Sequence, residues 1–205
     1  MSNKGKLTIV VIGANGTIGQ EVVKRIHEQG HRVIEVSRTS GDFQADIQDK
    51  KSLEELFAKI GHFNAVANAS GSVAFKGIGE LTDEELAFSI GNKLVGQINL
   101  VRAALPYIAD GGSFTLISGI LSEEPILGGV VASLVNSGVE GFVKAVAYEL
   151  PRAIRINCIS PTVLAESKGY HDIFPGFIPV EGWKVARAYE KSIFGIVTGK
   201  VIKVY

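Results

Sequence analysis

The chain holds one cysteine, one methionine and one tryptophan in 205 residues, and no excess charge of either sign. Each scarcity excludes something. A lone cysteine, Cys158, closes no disulfide within the chain. Set in the apolar run IRINCIS, it is expected as a buried strand residue. His27, His31, His62 and His171 are scattered, and neither Cys-x-x-Cys nor His-x-x-x-His occurs, so no metal site is expected. Basic and acidic residues number 21 each, with no long basic run, which argues against a nucleic-acid partner. No run of about 18 apolar residues marks a membrane span. The opening MSNKGK lacks the apolar stretch of a secretory signal. A cytoplasmic protein with no membrane partner is the expectation.

What is present is an apolar content of 46%, enough for a substantial core. A single domain over residues 1–205 fits this length. Short apolar runs alternate with helical patterns. LTIVVIG (Leu7–Gly13), RVIEVS, NAVANAS, SFTLIS, IRINCIS and KVIKVY read as strands. Ile18, Val22, Val23 and Ile26 recur at helical spacing. SLEELFAKI reads as a helix opened by a capping box of Ser52 and Glu55, and Thr82 with Glu85 opens a long helix to Ile108. A further helix spans Val131–Leu150. Alternation of this kind predicts an α/β fold, a doubly wound parallel sheet with helices on both faces. The least regular stretch, Pro161–Trp183, reads as a lid. Its Tyr170, Phe174, Phe177 and Trp183 point to a hydrophobic or aromatic small-molecule ligand.

Between the first strand and the first helix stands VIGANGTIGQEVV, a G-x-x-G-x-x-G pattern of Gly13, Gly16 and Gly19. In that position it predicts a dinucleotide loop. Gly13 makes the tight exit, Gly16 lets a pyrophosphate approach, and Gly19 lets the helix sit close to the sheet. Asn15, Thr17 and Ile18 complete the expected contact loop. The second strand ends in VSRTS, with Ser37 where a carboxylate would hold a ribose 2′-hydroxyl, and Arg38 next to it. That pair predicts NADP, with NADPH preferred over NADH.

GANGTIG, ADI (Ala45–Ile47), NASG (Asn68–Gly71), LISG (Leu116–Gly119) and INCISPT (Ile156–Thr162) occur in the order of the short-chain dehydrogenase/reductase family, which the chain resembles over nearly its whole length. The resemblance implies a Rossmann-type sheet of about seven strands in the order 3-2-1-4-5-6-7. It places Asp46 and Ile47 at the adenine, Asn68, Ala69 and Gly71 beside the cofactor, and Pro161 and Thr162 near the nicotinamide. It also implies pairing of the two long helices in a homodimer or homotetramer, with Val95, Ile98, Leu134 and Val135 as candidate contacts.

The resemblance fails at the residues that carry the family's chemistry. The serine, tyrosine and lysine positions fall on Gly119, Ala132 and Asn136. Where members have an asparagine on the preceding helix, this chain has Lys93, with Asn92 as the rival match one residue earlier. The departures resemble a small atypical subgroup of about 200 residues. Lys93, Ser118 and Asn136 are then the candidate catalytic residues, with Ser133 as another nearby hydroxyl. The lysine is expected to be an acid of lowered pKa. The leading expectation is an NADP(H)-dependent oxidoreductase with a non-standard site, acting on a carbonyl or alcohol. The alternative is an inactive NADP(H)-binding sensor or scaffold.

Overall fold

The computed structural model describes residues 5–205. The first four residues of the domain expected over 1–205 lie outside the described residues. Seven strands are described: β1 Thr8–Ile12, β2 Arg32–Ser37, β3 Phe43–Gln44, β4 Phe63–Asn68, β5 Ile108–Ile117, β6 Arg155–Pro161 and β7 Val201–Val204. They form one parallel sheet in the order β3-β2-β1-β4-β5-β6-β7. The helices are α1 Thr17–Glu28, α2 Lys50–Ile60, α3 Asp83–Ser89, α4 Gly96–Ala104, α5 Val130–Val146 and α6 Gly182–Phe194.

Strand β1 shows why the sheet must be covered twice. Successive side chains point to opposite faces, yet Ile9, Val10, Val11 and Ile12 are all buried. Val10 and Ile12 pack with Leu53 and Phe57 of α2, Leu100 of α4 and Val139 of α5. Ile9 and Val11 pack with Val22 and Ile26 of α1 and Val185 and Tyr189 of α6. This is the doubly wound arrangement that near-continuous apolar strands require. Cys158, in β6, is fully buried, and burial pushes its thiol up to about 12.

Several expected boundaries are corrected. The Thr82–Glu85 capping box forms, but the helix expected from Thr82 to Ile108 is three segments. After α3 a π-helical stretch, Ile90–Val95, intervenes before α4. Helix α4 stops at Ala104: Leu105 still has helical backbone, but Pro106 has no N–H to continue the hydrogen-bond ladder, and Ile108 already belongs to β5. Helix α5 ends at Val146 rather than Leu150. Helix α2 starts at Lys50, capped by Asp49, whose carboxylate accepts from the Lys51 amide at 2.9 Å. Ser52 is no cap: its hydroxyl accepts from the Asp46 amide at 3.2 Å. Aspartate caps as well as serine does, and the earlier cap lets Lys50 pair with Glu54 one turn on.

The stretch after β6 is less free than a lid. Leu164 bridges Val180, a 3-10 turn covers Lys168–Ile173, and Phe174 is buried. Trp183 lies inside α6 and lines a surface cleft with Glu21 and Arg25, away from the site. Val135 is fully buried and presents nothing to a partner, while Val95 and Leu134 are exposed.

Candidate active site at the strand ends

Ligands of open α/β sheets bind beyond the carboxyl ends of the strands, where the strand order reverses. Here that point lies between β1 and β4. The loop leaving β1 turns back at once: the Gly16 amide donates to the Gly13 carbonyl at 3.0 Å. Gly16 stands at the N-cap position just before α1, no side chain caps the helix, and its first turn carries no acid. Nothing there competes with an anion for the helix N-terminus. Gly19 lies so close beneath the loop that a Cβ would stand 2.0 Å from the Gly13 carbonyl oxygen.

Two clefts flank this loop. One, about 230 Å³, is lined by Gly13, Ser37, Arg38, Asp46, Ile47 and Asn92. Arg38 is exposed there. Asn15 does not line it; its amide donates to the hydroxyls of Ser37, at 3.2 Å, and Ser40, tying the loop to the end of β2. Thr17 is exposed, and Ile18 lines the second cleft. That cleft, about 310 Å³, gathers Ala69 and Gly71 after β4, Lys93, Ser118 and Gly119 after β5, Ala132 and Asn136 of α5, and Pro161 and Thr162 at the end of β6. Its far wall is Val73, Phe75, Leu121 and Phe174, with Tyr170 beside Phe75 at 5.7 Å between ring centres. Phe177 stacks edge-on behind Phe174 and does not line the cavity.

Asn68 and Gln97, both fully buried, form the rigid floor. The Asn68 amide donates to Gln97 Oε1 at 2.9 Å and to the Ser70 carbonyl at 2.9 Å, so it shapes the loop rather than lining the cavity. Gln97 donates to the carbonyls of Lys93 and Ile117 and accepts from the Ile117 amide. All four of its hydrogen-bonding positions are used. Tyr189 supports Asn68 from below, donating to its carbonyl at 2.6 Å.

The π-helical segment decides how Lys93 and Asn92 sit. On an α-helix, neighbours diverge by about 100°, and only one of the two would face the loop after β4. In the wider π turn both do. Asn92 Oδ1 accepts from the Ser72 amide at 2.7 Å. Lys93 passes Gly71 so closely that a Cβ there would lie 3.0 Å from its Cγ. With φ at +147°, Gly71 adopts a backbone that side chains rarely allow, and the lysine uses the space. Single π turns inside helices recur at functional sites. The Lys93 ammonium is part-buried, and burial lowers its pKa to about 8.

The neighbouring positions explain themselves in pairs. A Cβ on Gly119 would crowd Asn136 Nδ2 at 3.1 Å, and that amide instead donates to the Gly119 carbonyl at 3.2 Å. Asn136 Oδ1 and Thr162 Oγ1 are left buried without a partner. Ser118 is committed elsewhere: its hydroxyl donates to Glu140 at 2.9 Å, as does that of Ser122 at 2.7 Å. Glu140, buried at 6% exposure, was not among the expected site residues. Its signal was its place on the stripe Ala132–Asn136–Glu140, four residues apart on α5. Ser133 is also without a partner, but it does not line the cavity.

Residues 8–174 match the family model described as enoyl-(acyl carrier protein) reductase. The chain belongs to the short-chain dehydrogenase/reductase family. Among curated members of this family, it is 28% identical to carbonyl reductase (NADPH) 2 of Sus scrofa over 185 residues, 82% of this chain and 75% of that protein. Among solved structures, the protein lin1944 of Listeria innocua superposes with a TM-score of 0.95 at 44% identity, covering 97% of this chain and all, 100%, of that one. A small-chain dehydrogenase in complex with NADPH superposes at 0.87 and 27% identity, covering 98% of this chain and 97% of that chain. No described helix is long and apolar enough to cross a membrane.

Proposed function

We propose that the chain, as a single dinucleotide-binding domain over residues 1–205, is an NADP(H)-dependent oxidoreductase of the cytoplasm. Its substrate is a small carbonyl or alcohol, and Lys93 is the acid. The observation that carries this reading is Lys93, which lines the strand-end cavity together with Ser118 and Asn136. The residues present fit a dinucleotide. The uncapped start of α1 with Gly13, Gly16 and Gly19 suits the pyrophosphate. Asp46 and Ile47 suit the adenine. The unpartnered Asn136 Oδ1 and Thr162 Oγ1 suit the polar groups of a nicotinamide riboside. When bound, the group supplies a hydride. The protein must place the carbonyl and give its oxygen a proton.

With a pKa of about 8, Lys93 is charged at neutral pH and still acidic enough to donate. Ser118 cannot supply that proton directly, because its own goes to Glu140. It offers a lone pair, which orients a hydroxyl. The apolar wall of Val73, Phe75, Leu121 and Phe174 excludes water from the body of the substrate. Oxidation of NADPH against a panel of aldehydes, ketones and quinones, followed by absorbance, tests the reading. Failure to bind NADPH ends it. Tight NADPH binding with no turnover across the panel favours the sensor or scaffold reading, which the methyl of Ala132, packed with Leu121 and Phe174 where members carry tyrosine, independently supports.

Arg38 carries the choice of dinucleotide. A guanidinium–phosphate pair is charge-assisted and often bidentate. NADPH is expected to bind about tenfold or more tightly than NADH, a difference of about 1.4 kcal/mol. Fluorescence titration of Arg38→Ala with both nucleotides checks it; an unchanged NADPH affinity removes the assignment.

A second copy of the chain is the proposed partner for the outer face of α3 to α5. Phe88, Val95, Val130 and Leu134 are large, apolar and exposed there. Two-fold pairing buries such a face on both copies at once. Light scattering at micromolar concentration is expected to give a dimer or tetramer, and a monomeric mass contradicts this.

A further inference from the structure

Lys93 is the one charged side chain on the wall of the 310 Å³ cavity, and it faces no counter-charge. No aspartate, glutamate or histidine lines that cavity. Among the described residues no carboxylate hydrogen-bonds the ammonium. The buried carboxylate of Glu140 lies beyond Ser118 and is occupied by the hydroxyls of Ser118 and Ser122. A desolvated cation without a partner is costly, and proteins ordinarily pair it. The volume is that of a small-molecule site. Its lining combines polar side chains, Lys93, Asn136 and Thr162 among them, with one packed apolar cluster of Val73, Phe75, Leu121 and Phe174, in which Phe75 and Phe174 stand 6.5 Å apart and edge-on. Thr162 Oγ1 is buried and unpartnered and has a hydroxyl proton to donate to an anion, whereas the unpartnered Asn136 Oδ1 only accepts. A bare inorganic anion would leave the apolar cluster wet. A neutral apolar molecule would leave the ammonium unpaired.

We propose that this cavity takes an organic monoanion, a carboxylate or an ionised enol or phenol, with its charged oxygen on Lys93 and a ring-sized apolar body against Phe75 and Phe174. This deepens the oxidoreductase reading, and rests on it in one respect: the substrate is then a carbonyl compound that also bears an acidic oxygen. Titratable groups around Lys93 are few. Cys158 of β6 is held neutral by burial, Tyr170 stands beside Phe75, and Glu140 of α5 sits behind Ser118. The charge that selects the anion is therefore that of Lys93 itself, present below about 8 and lost above it.

Calorimetric titration of the full chain with benzoate and with its neutral isostere benzamide tests the proposal. At neutral pH benzoate is expected to bind about tenfold or more tightly. The preference should fade as the pH passes about 8, vanish in Lys93→Met and persist in Lys93→Arg. Equal affinities, no binding of either probe, or a preference that survives in Lys93→Met overturns it. Should the methionine variant not fold, the pH series on the unaltered protein decides alone. NADPH titration in parallel separates the two readings. NADPH binding without anion preference sinks the anion site only. Anion preference without NADPH binding sinks the oxidoreductase reading and leaves the anion site standing.

Discussion

Lys93→Met is expected to cost turnover about 10²-fold or more, the usual worth of a positioned acid, and at the same time to make the free protein more stable. The two effects have one cause. Burial lowers the ammonium to about 8, which means that the fold disfavours the charge it holds. A shift of this size corresponds to about 3 kcal/mol if wholly desolvated, and partial exposure reduces it to about 1–2 kcal/mol. Methionine keeps an unbranched chain to pass over Gly71 and removes the charge. The sign of the pH dependence follows. Below about 8 the folded and unfolded chains both carry the proton, and the cost is present in full. Between there and the ordinary lysine range the unfolded chain binds more protons than the folded one, so stability rises with pH. The advantage of Lys93→Met should therefore be largest near neutrality and shrink as the medium becomes alkaline. Tyr189, whose ionisation burial also opposes, is in both proteins and cancels in the difference, whereas Cys158 feels the Lys93 charge and is held neutral by burial still more firmly in the methionine variant. Urea denaturation of both proteins across this range checks the stability. Any NADPH-linked turnover should itself fall through about 8, as Lys93 loses its proton. A methionine variant that is less stable, or fully active, removes Lys93 from the centre of the mechanism.

The parts of this site that were legible in the sequence are those fixed by backbone need. The glycine loop announces itself because the pattern sits between an apolar run and a helical one, and Ser37–Arg38 because a strand end has few positions. The parts that were not legible depend on contacts distant in sequence. Nothing local marks Gln97 as the hub joining α4, β4 and β5, since its partners lie 20 and 29 residues away. Glu140 reads as one more helix carboxylate until the serines after β5 fold onto it. The π turn is hidden for another reason. Its residues continue an ordinary helical pattern from Thr82, and the extra residue per turn is repaid by Asn92 and Lys93 both meeting the loop after β4. Trp183 misled through composition: four aromatics in one irregular stretch looked like a lid, but helix α6 had already begun.

Gly19→Ala is expected to be among the most damaging single substitutions in the chain, although it adds one carbon and alanine is the better helix former. In a free helix the change would stabilise by about 1 kcal/mol. Here the new carbon would lie 2.0 Å from the Gly13 carbonyl oxygen and 2.8 Å from its carbon. Both are backbone atoms, so no rotamer change relieves the overlap. Either α1 must lift from the sheet or the loop must open. Lifting α1 disturbs Val22 and Ile26, which are buried against Ile9 and Val11. Opening the loop breaks the 3.0 Å bond from the Gly16 amide to the Gly13 carbonyl, and with it the surface expected to meet a pyrophosphate. Overpacking of this kind costs about 1–3 kcal/mol, occasionally more, and the rigid partner places this case at the upper end. Gly16→Ala supplies the control, since a Cβ there would sit 3.4 Å from the same oxygen, an ordinary contact. The expected order is a large fall in melting temperature for Gly19→Ala and little change for Gly16→Ala, with NADPH affinity reduced in both. Gly19 variants that melt like the parent and bind NADPH equally well would mean that the loop does not hold this close approach in solution.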